Sequence, residues 1–200
     1  MDSVLKIILS DIKKKLIQNT NIVIAIDGRC ASGKSTLAAV LQEVFECNVI
    51  PMDHFFLSVE QRTNERMNEP GGNIDYERFL EEVLLPLSQG ERFTYKPYDC
   101  KKQEMAADIQ VEPHPVSVIE GSYSCHPALV DYYDIKIFVT VDEAEQRQRL
   151  RKRNGDKDAL RFISTWIPLE EHYFTAFNIK ERCDYVLVME LRSCYSSDST

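Results

Sequence analysis

Hydrophobic positions fall into two rhythms. Short aliphatic runs at Ile22 to Ile26, Asn48 to Met52, Val116 to Ile119, Ile135 to Val141 and Tyr185 to Met189 have the length and composition of strands buried on both faces. Between them, apolar residues recur every three to four positions. This spacing predicts helices over Lys34 to Phe45, Tyr76 to Leu87, Glu143 to Arg153 and Lys157 to Lys180. Strands alternating with helices imply a parallel sheet covered by helices. From Arg92 to Val111 the rhythm breaks into "FTYKPYD" and "ADIQVEP", and a small hairpin beside the main sheet is expected there. At the N-terminus, Val4, Ile8, Ile12 and Leu16 keep helical spacing while Lys6, Asp11 and Lys13 to Lys15 interrupt the apolar run. Residues 1–20 therefore read as an amphipathic surface helix rather than a secretion signal.

No repeat or Pro/Gly-rich hinge divides the chain, so 1–200 is read as one domain, with residues 192–200 a flexible tail. Hydrophobic residues at 44% and charged ones at 28% are globular values, and a 200-residue chain can bury a substantial core. No apolar run reaches the roughly 20 residues of a membrane span. A net charge of −8 opposes a nucleic-acid polymer as partner, since such binding needs a basic surface. The six cysteines form no C-x-x-C pair or His-associated zinc pattern, which points to reduced thiols in a cytoplasm.

The strongest chemical signal is "VIAIDGRCASGKST". Gly28, Gly33, Lys34 and Ser35 satisfy G-x-x-x-x-G-K-[ST], with an aliphatic strand before and a helix former after. The glycines let backbone N–H groups curl around phosphate oxygens and the new helix offers its positive end. Gly28, Ala31, Ser32, Gly33, Lys34, Ser35 and Thr36 thus read as an ATP site, with Lys34 on the outer phosphates and Ser35 on Mg²⁺. The fold expected is a three-layer α/β P-loop NTPase, its parallel sheet flanked by helices, with a substrate-side hairpin and a basic lid.

Two acids follow strands. Asp53 in "PMDHFFL" lies just past a strand's carboxyl end, where ligands bind in open α/β sheets, and could take the proton of an attacking hydroxyl; a helix or turn cap is its other reading. Glu120 in "VSVIEGSYS" suits a magnesium partner, or is an ordinary strand-end acid. In "RQRLRKR", Arg149 and Arg153 share a helix face and could close on a triphosphate, the alternative being a solvated face. Cys125–His126 is read as structural, with a helix starting at Pro127. Trp166, Leu169, Tyr173 and Phe174 are read as a core face.

The segments "DGRCASGKST", "MDHFF", "GGNIDYERF", "PYDC", "VIEGSYS" and "RQRLRKR", in this order, resemble the uridine kinase and phosphoribulokinase branch of the P-loop kinases. The resemblance implies ATP- and Mg²⁺-dependent phosphorylation of a hydroxyl, with Asp53 as base and Ser35 and Glu120 near the metal. It also implies that Asp75 holds sugar hydroxyls and that Tyr98 lies beside a nucleobase. Two positions depart from uridine kinases: Phe56 stands where D-x-F-Y has tyrosine, and Gln103 stands near an expected histidine. The acceptor pocket is thus read as Phe56, Asp75, Tyr98 and Gln103. ATP and a small hydroxyl-bearing molecule are the expected partners, with no membrane, and a homo-oligomer stays open. The acceptor is read as a nucleoside. A sugar phosphate, a pantothenate-like alcohol and a nucleotide-binding regulatory protein without an acceptor are the alternatives.

Overall fold

The computed structural model describes residues 3–189; the expected tail at 192–200 lies outside them. In chain order the elements are α1 (Ser3–Gln18), β1 (Ile22–Gly28), α2 (Lys34–Phe45), β2 (Asn48–Pro51), α3 (Asn64–Asn68), α4 (Tyr76–Phe79) and α5 (Leu85–Gln89). There follow β3 (Phe93–Tyr95), β4 (Tyr98–Asp99), β5 (Glu104–Met105), β6 (Ile109–Val111), β7 (Val116–Glu120), β8 (Ile135–Thr140), α6 (Glu143–Arg161), α7 (Ile167–Phe177), α8 (Ile179–Arg182) and β9 (Tyr185–Val188).

The five aliphatic runs form one parallel sheet in the order β2-β7-β1-β8-β9. All seven residues of β1 are buried, because helices cover both faces. Side-chain alternation assigns them to two cores. Val23 and Ala25 face Ile50, Ile119, Phe79, Tyr123 and Tyr173; Ile22, Ile24 and Ile26 face Ile8, Ile12, Leu37 and Leu41. Ile8 and Ile12 are fully buried in the second core, so α1 is docked on the domain. Burying two such side chains stabilises by roughly 3–6 kcal/mol.

The ragged stretch is a nested hairpin. β3 pairs antiparallel with β6, and within it β4 pairs with β5. The helix expected over Tyr76 to Leu87 is observed as α4 and α5 joined by a π-helical turn at Leu80–Leu84, with Pro86 in the first turn of α5. Gly155, at φ 77°, breaks α6 close to where the two expected helices were divided. No α-helix starts at Pro127; turns lead to a short 3-10 segment at Val130–Tyr132.

Candidate active site

β1 delivers the chain into the phosphate loop at the carboxyl edge of the sheet, beside the end of β7. Gly28 pairs with Val139 of β8, and a β-carbon on it would lie 1.9 Å from the Val139 carbonyl oxygen. Only glycine fits this strand approach, and its φ of +129° excludes other residues independently. Gly33, at φ +105°, turns the chain into α2. Lys34 is buried, and its Nζ donates to the Gly28 and Arg29 carbonyls at 2.8 and 2.9 Å and to Ser122 Oγ at 3.2 Å. Ser32 Oγ is buried without a partner. A buried orphan hydroxyl in a loop of this shape suits a phosphate oxygen.

Loop residues 30–36 line a cavity of about 1290 Å³, as do Asp53, Glu120 and cations of α6. Ser35 Oγ donates to both Glu120 carboxylate oxygens, at 3.3 and 3.2 Å. Burial pushes the Glu120 carboxyl up from its ordinary value, Lys34 opposes this, and Asp53 adds to it. A partly desolvated carboxylate beside a hydroxyl is a hard-oxygen pair suited to Mg²⁺, which takes few protein ligands and completes its shell with water and phosphate. Asp53, in a 3-10 turn at Met52–Phe55, is exposed, and its carboxylate makes no hydrogen bond or ion pair among the described residues, so the capping role is not observed. A β-carbon on Gly121 would lie 3.5 Å from Asp53 Oδ1, which puts the two acid-bearing strand ends side by side.

Two buried acids escaped the sequence reading. Asp27 accepts from the N–H groups of Gly28, Tyr123 and Cys125 and from the Tyr173 hydroxyl, at 2.6, 3.1, 2.8 and 2.8 Å. Burial raises it to about 6 despite these donors. An acid at the buried end of an aliphatic strand was the available signal. Glu170 of α7 accepts from the Cys30 N–H at 2.9 Å and from Ser122 Oγ at 2.7 Å, pinning the loop from the far side; burial raises its carboxyl as well. Nothing in "TWIPLEEHYF" separates it from Glu171, which pairs with Arg29.

Arg149 and Arg153 both line the cavity, together with Lys152 and Arg161. Arg149 pairs with Glu145 at 2.6 Å and donates to the Ala31, Ser32 and Met189 carbonyls, which ties α6 to the loop. Of the four residues assigned to the acceptor, Phe56 and Gln103 line the cavity, whereas Asp75 and Tyr98 do not. Asp75 caps α4 through the Arg78 N–H at 3.1 Å and accepts from Gln61 Nε2 at 2.8 Å. Gly28 is likewise off the wall, contributing its carbonyl to Lys34. Trp166 is half-buried on the cavity wall, 6.4 Å from the Phe56 ring, whereas Tyr173 and Phe174 are core. His126 stacks on Tyr76 at 4.0 Å and is parallel to Tyr173; burial lowers it to about 4, a structural imidazole.

Comparison with known proteins places this geometry. A uridine kinase of Alkaliphilus metalliredigens is 32% identical over 135 residues, 62% of this chain and 64% of that protein. In each of the first curated relatives the match spans less than two thirds of the relative's length. Among solved structures, a possible uridine kinase from Bacillus stearothermophilus superposes with a TM-score of 0.64 over 90% of this chain and 98% of its own, at 19% identity. A D-glycerate 3-kinase from Cryptococcus neoformans gives 0.66 over 94% and 96%, at 16% identity. Both show the shared fold. The family model matches residues 23–156, the stretch that carries the phosphate loop, both strand-end acids and most of the cationic helix, and the chain belongs to the Phosphoribulokinase / Uridine kinase family.

Proposed function

We propose that the chain transfers the γ-phosphoryl group of ATP to a hydroxyl of a small acceptor. The observation that carries the proposal is the position of Asp53, an unpartnered carboxylate in the same cavity as the phosphate loop and the Ser35–Glu120 pair. A nucleotide sensor has no use for an acceptor base there. In the reaction a bond forms between the acceptor oxygen and the γ-phosphorus, the bond to the β,γ-bridging oxygen breaks, and the acceptor proton passes to Asp53. Lys34, released from the Gly28 and Arg29 carbonyls, would hold the outer phosphates, and Ser32 and the loop N–H groups the remaining oxygens. Ser35 and Glu120 would hold Mg²⁺, whose charge neutralises the transferring group when bound. Arg149 and Arg153 would add positive charge as the lid closes and keep water out.

The names of the curated relatives support a nucleoside as acceptor. Against this stand Asp75 and Tyr98, the residues expected to read sugar and base, which lie off the cavity wall. ADP release by purified protein against a panel of nucleosides, vitamins and sugar phosphates tests the proposal. ADP release with none of them, by protein that binds ATP, would refute it.

A further inference from the structure

Beyond Asp53 the cavity wall includes Phe56, Arg62, Met67, Asn73, Lys101 and Gln103. Two of these are cations and one is a buried amide. Arg62 Nε and Nη2 both donate to the Leu57 carbonyl, at 3.1 and 2.9 Å. That grip fixes the plane of the guanidinium, which also reaches the Cys100 thiol. Neither Arg62 nor Lys101 has a carboxylate within ion-pair distance among the described residues, although the chain carries 32 acidic residues against 24 basic ones. Nearby Arg66 and Arg78 are paired, with Glu77 and with Asp75 and Glu82. Asn73 is only 7% exposed, and its amide nitrogen has no hydrogen-bond partner of normal geometry, although it lies close enough to influence the Tyr123 phenol. The Cys100 thiol feels the Arg62 guanidinium and the Asp53 and Asp99 carboxylates, which puts Arg62 on the same side of the cavity as Asp53. Gln61 and the α4 N-terminus meanwhile engage both oxygens of Asp75, the carboxylate that the resemblance assigns to sugar hydroxyls.

Arg62 and Lys101 are both exposed to the solvent that fills the cavity, so a neutral sugar or nucleoside would gain no charge pairing from them, whereas an anionic group entering there would meet two cations. We infer that the acceptor is an anionic alcohol, whose phosphate monoester or carboxylate is received by Arg62 and Lys101 while its hydroxyl faces Asp53 and the Asn73 amide donates to one of its oxygens. The inference rests on the kinase proposal and replaces its nucleoside version.

The test fills the phosphate loop with a non-hydrolysable ATP analogue and magnesium. The complex is then titrated calorimetrically with ribose 5-phosphate against ribose, D-glycerate against glycerol, and uridine. At least one anionic compound is expected to bind tenfold or more tightly than its neutral counterpart, and the phosphate and carboxylate arms decide which anion is read. Arg62→Gln and Lys101→Gln should each weaken that binding about tenfold, the loss of one charge-assisted hydrogen bond, without changing the affinity for the ATP analogue. Lys101 is exposed, so its variant carries little risk to folding. Equal binding of charged and neutral partners, preferential binding of uridine, binding of none, or indifference to both substitutions overturns the inference. ADP release over the same panel is read separately. Anion binding with these properties but no ADP release leaves the subsite standing and removes the kinase proposal; efficient turnover of uridine alone does the reverse.

Discussion

Replacing Gly28 by alanine separates two duties performed by the glycines of one loop. The added β-carbon would sit 1.9 Å from the Val139 carbonyl oxygen and 2.8 Å from its carbonyl carbon and nitrogen, all backbone atoms of the strand paired with β1. No rotamer change relieves that clash, so β1 and β8 must part. A backbone conformation that L-residues avoid costs about 1–3 kcal/mol, and forcing a methyl into a packed interior costs about as much again. The sum, about 2–6 kcal/mol, is a large share of the roughly 5–15 kcal/mol that holds a domain together. Gly33→Ala makes a useful contrast. Its φ is also positive, but its β-carbon would meet the end of the Met189 side chain at 3.2 Å, and a flexible thioether can move. Thermal and urea unfolding should show Gly28→Ala melting on the order of 10 °C below the parent. Gly33→Ala should melt closer to the parent, while calorimetry shows a larger loss of ATP affinity than of stability. If Gly28→Ala melts within about 2 °C of the parent, the contact between β1 and β8 is looser than described and the reasoning fails.

Lys34→Ala should keep its circular dichroism spectrum yet bind ATP at least tenfold more weakly, since a hydrogen bond to a charged group contributes about 1.5–3 kcal/mol; equal affinity would undo the phosphate-loop assignment. Asp53→Asn should lower kcat by about 10²- to 10⁴-fold at saturating ATP and acceptor, with ATP affinity little changed; near-parental kcat would remove Asp53 as base. Asp75→Ala should reduce stability by about 1 kcal/mol through loss of the α4 cap, read from urea midpoints. Asp27, raised to about 6 in the fold, binds its proton more tightly there than in the unfolded chain, so its contribution is present below the ordinary aspartate value and is lost as pH rises through 6. The stability of the parent relative to Asp27→Asn should therefore fall by about 2–3 kcal/mol between pH 4 and pH 7; a constant difference would show that Asp27 does not titrate in this range.

The strands were legible because burial on both faces leaves a continuous aliphatic run, and each observed strand lies within about two residues of the expected one. The turn at Leu80–Leu84 was hidden because Leu80, Val83, Leu84 and Leu87 fit α-helical spacing in the sequence, and a single π turn inserted into such a run leaves no separate mark. At the site, the residues within one contiguous motif, from Ala31 to Thr36, could be read directly, because neighbours in sequence make the cradle. Arg62, Asn73, Lys101 and Glu170 could not, because each acquires its meaning from a cavity assembled by distant segments. Ser122 illustrates the same point: its hydroxyl bridges Lys34, 88 positions away, and Glu170, 48 positions away. Resemblance placed Asp75 and Tyr98 in the pocket by alignment of short segments, and it could not register that Gln61 would occupy the carboxylate.

The neighbouring strands β2 and β7 are separated in sequence by the whole stretch 52–115. That one excursion supplies Asp53, Phe56, Arg62, Asn73, Lys101 and Gln103, while the phosphate loop, Glu120, Ser122, the α6 cations and Glu170 all come from outside it. On the proposed reaction, phosphate handling and acceptor choice would therefore be written in different stretches of the gene. Substitutions, insertions or exchange of the excursion would then alter the acceptor while the strand order and the phosphate cradle stay as they are, so a lineage with this topology would change its acceptor by drift in one contiguous insert.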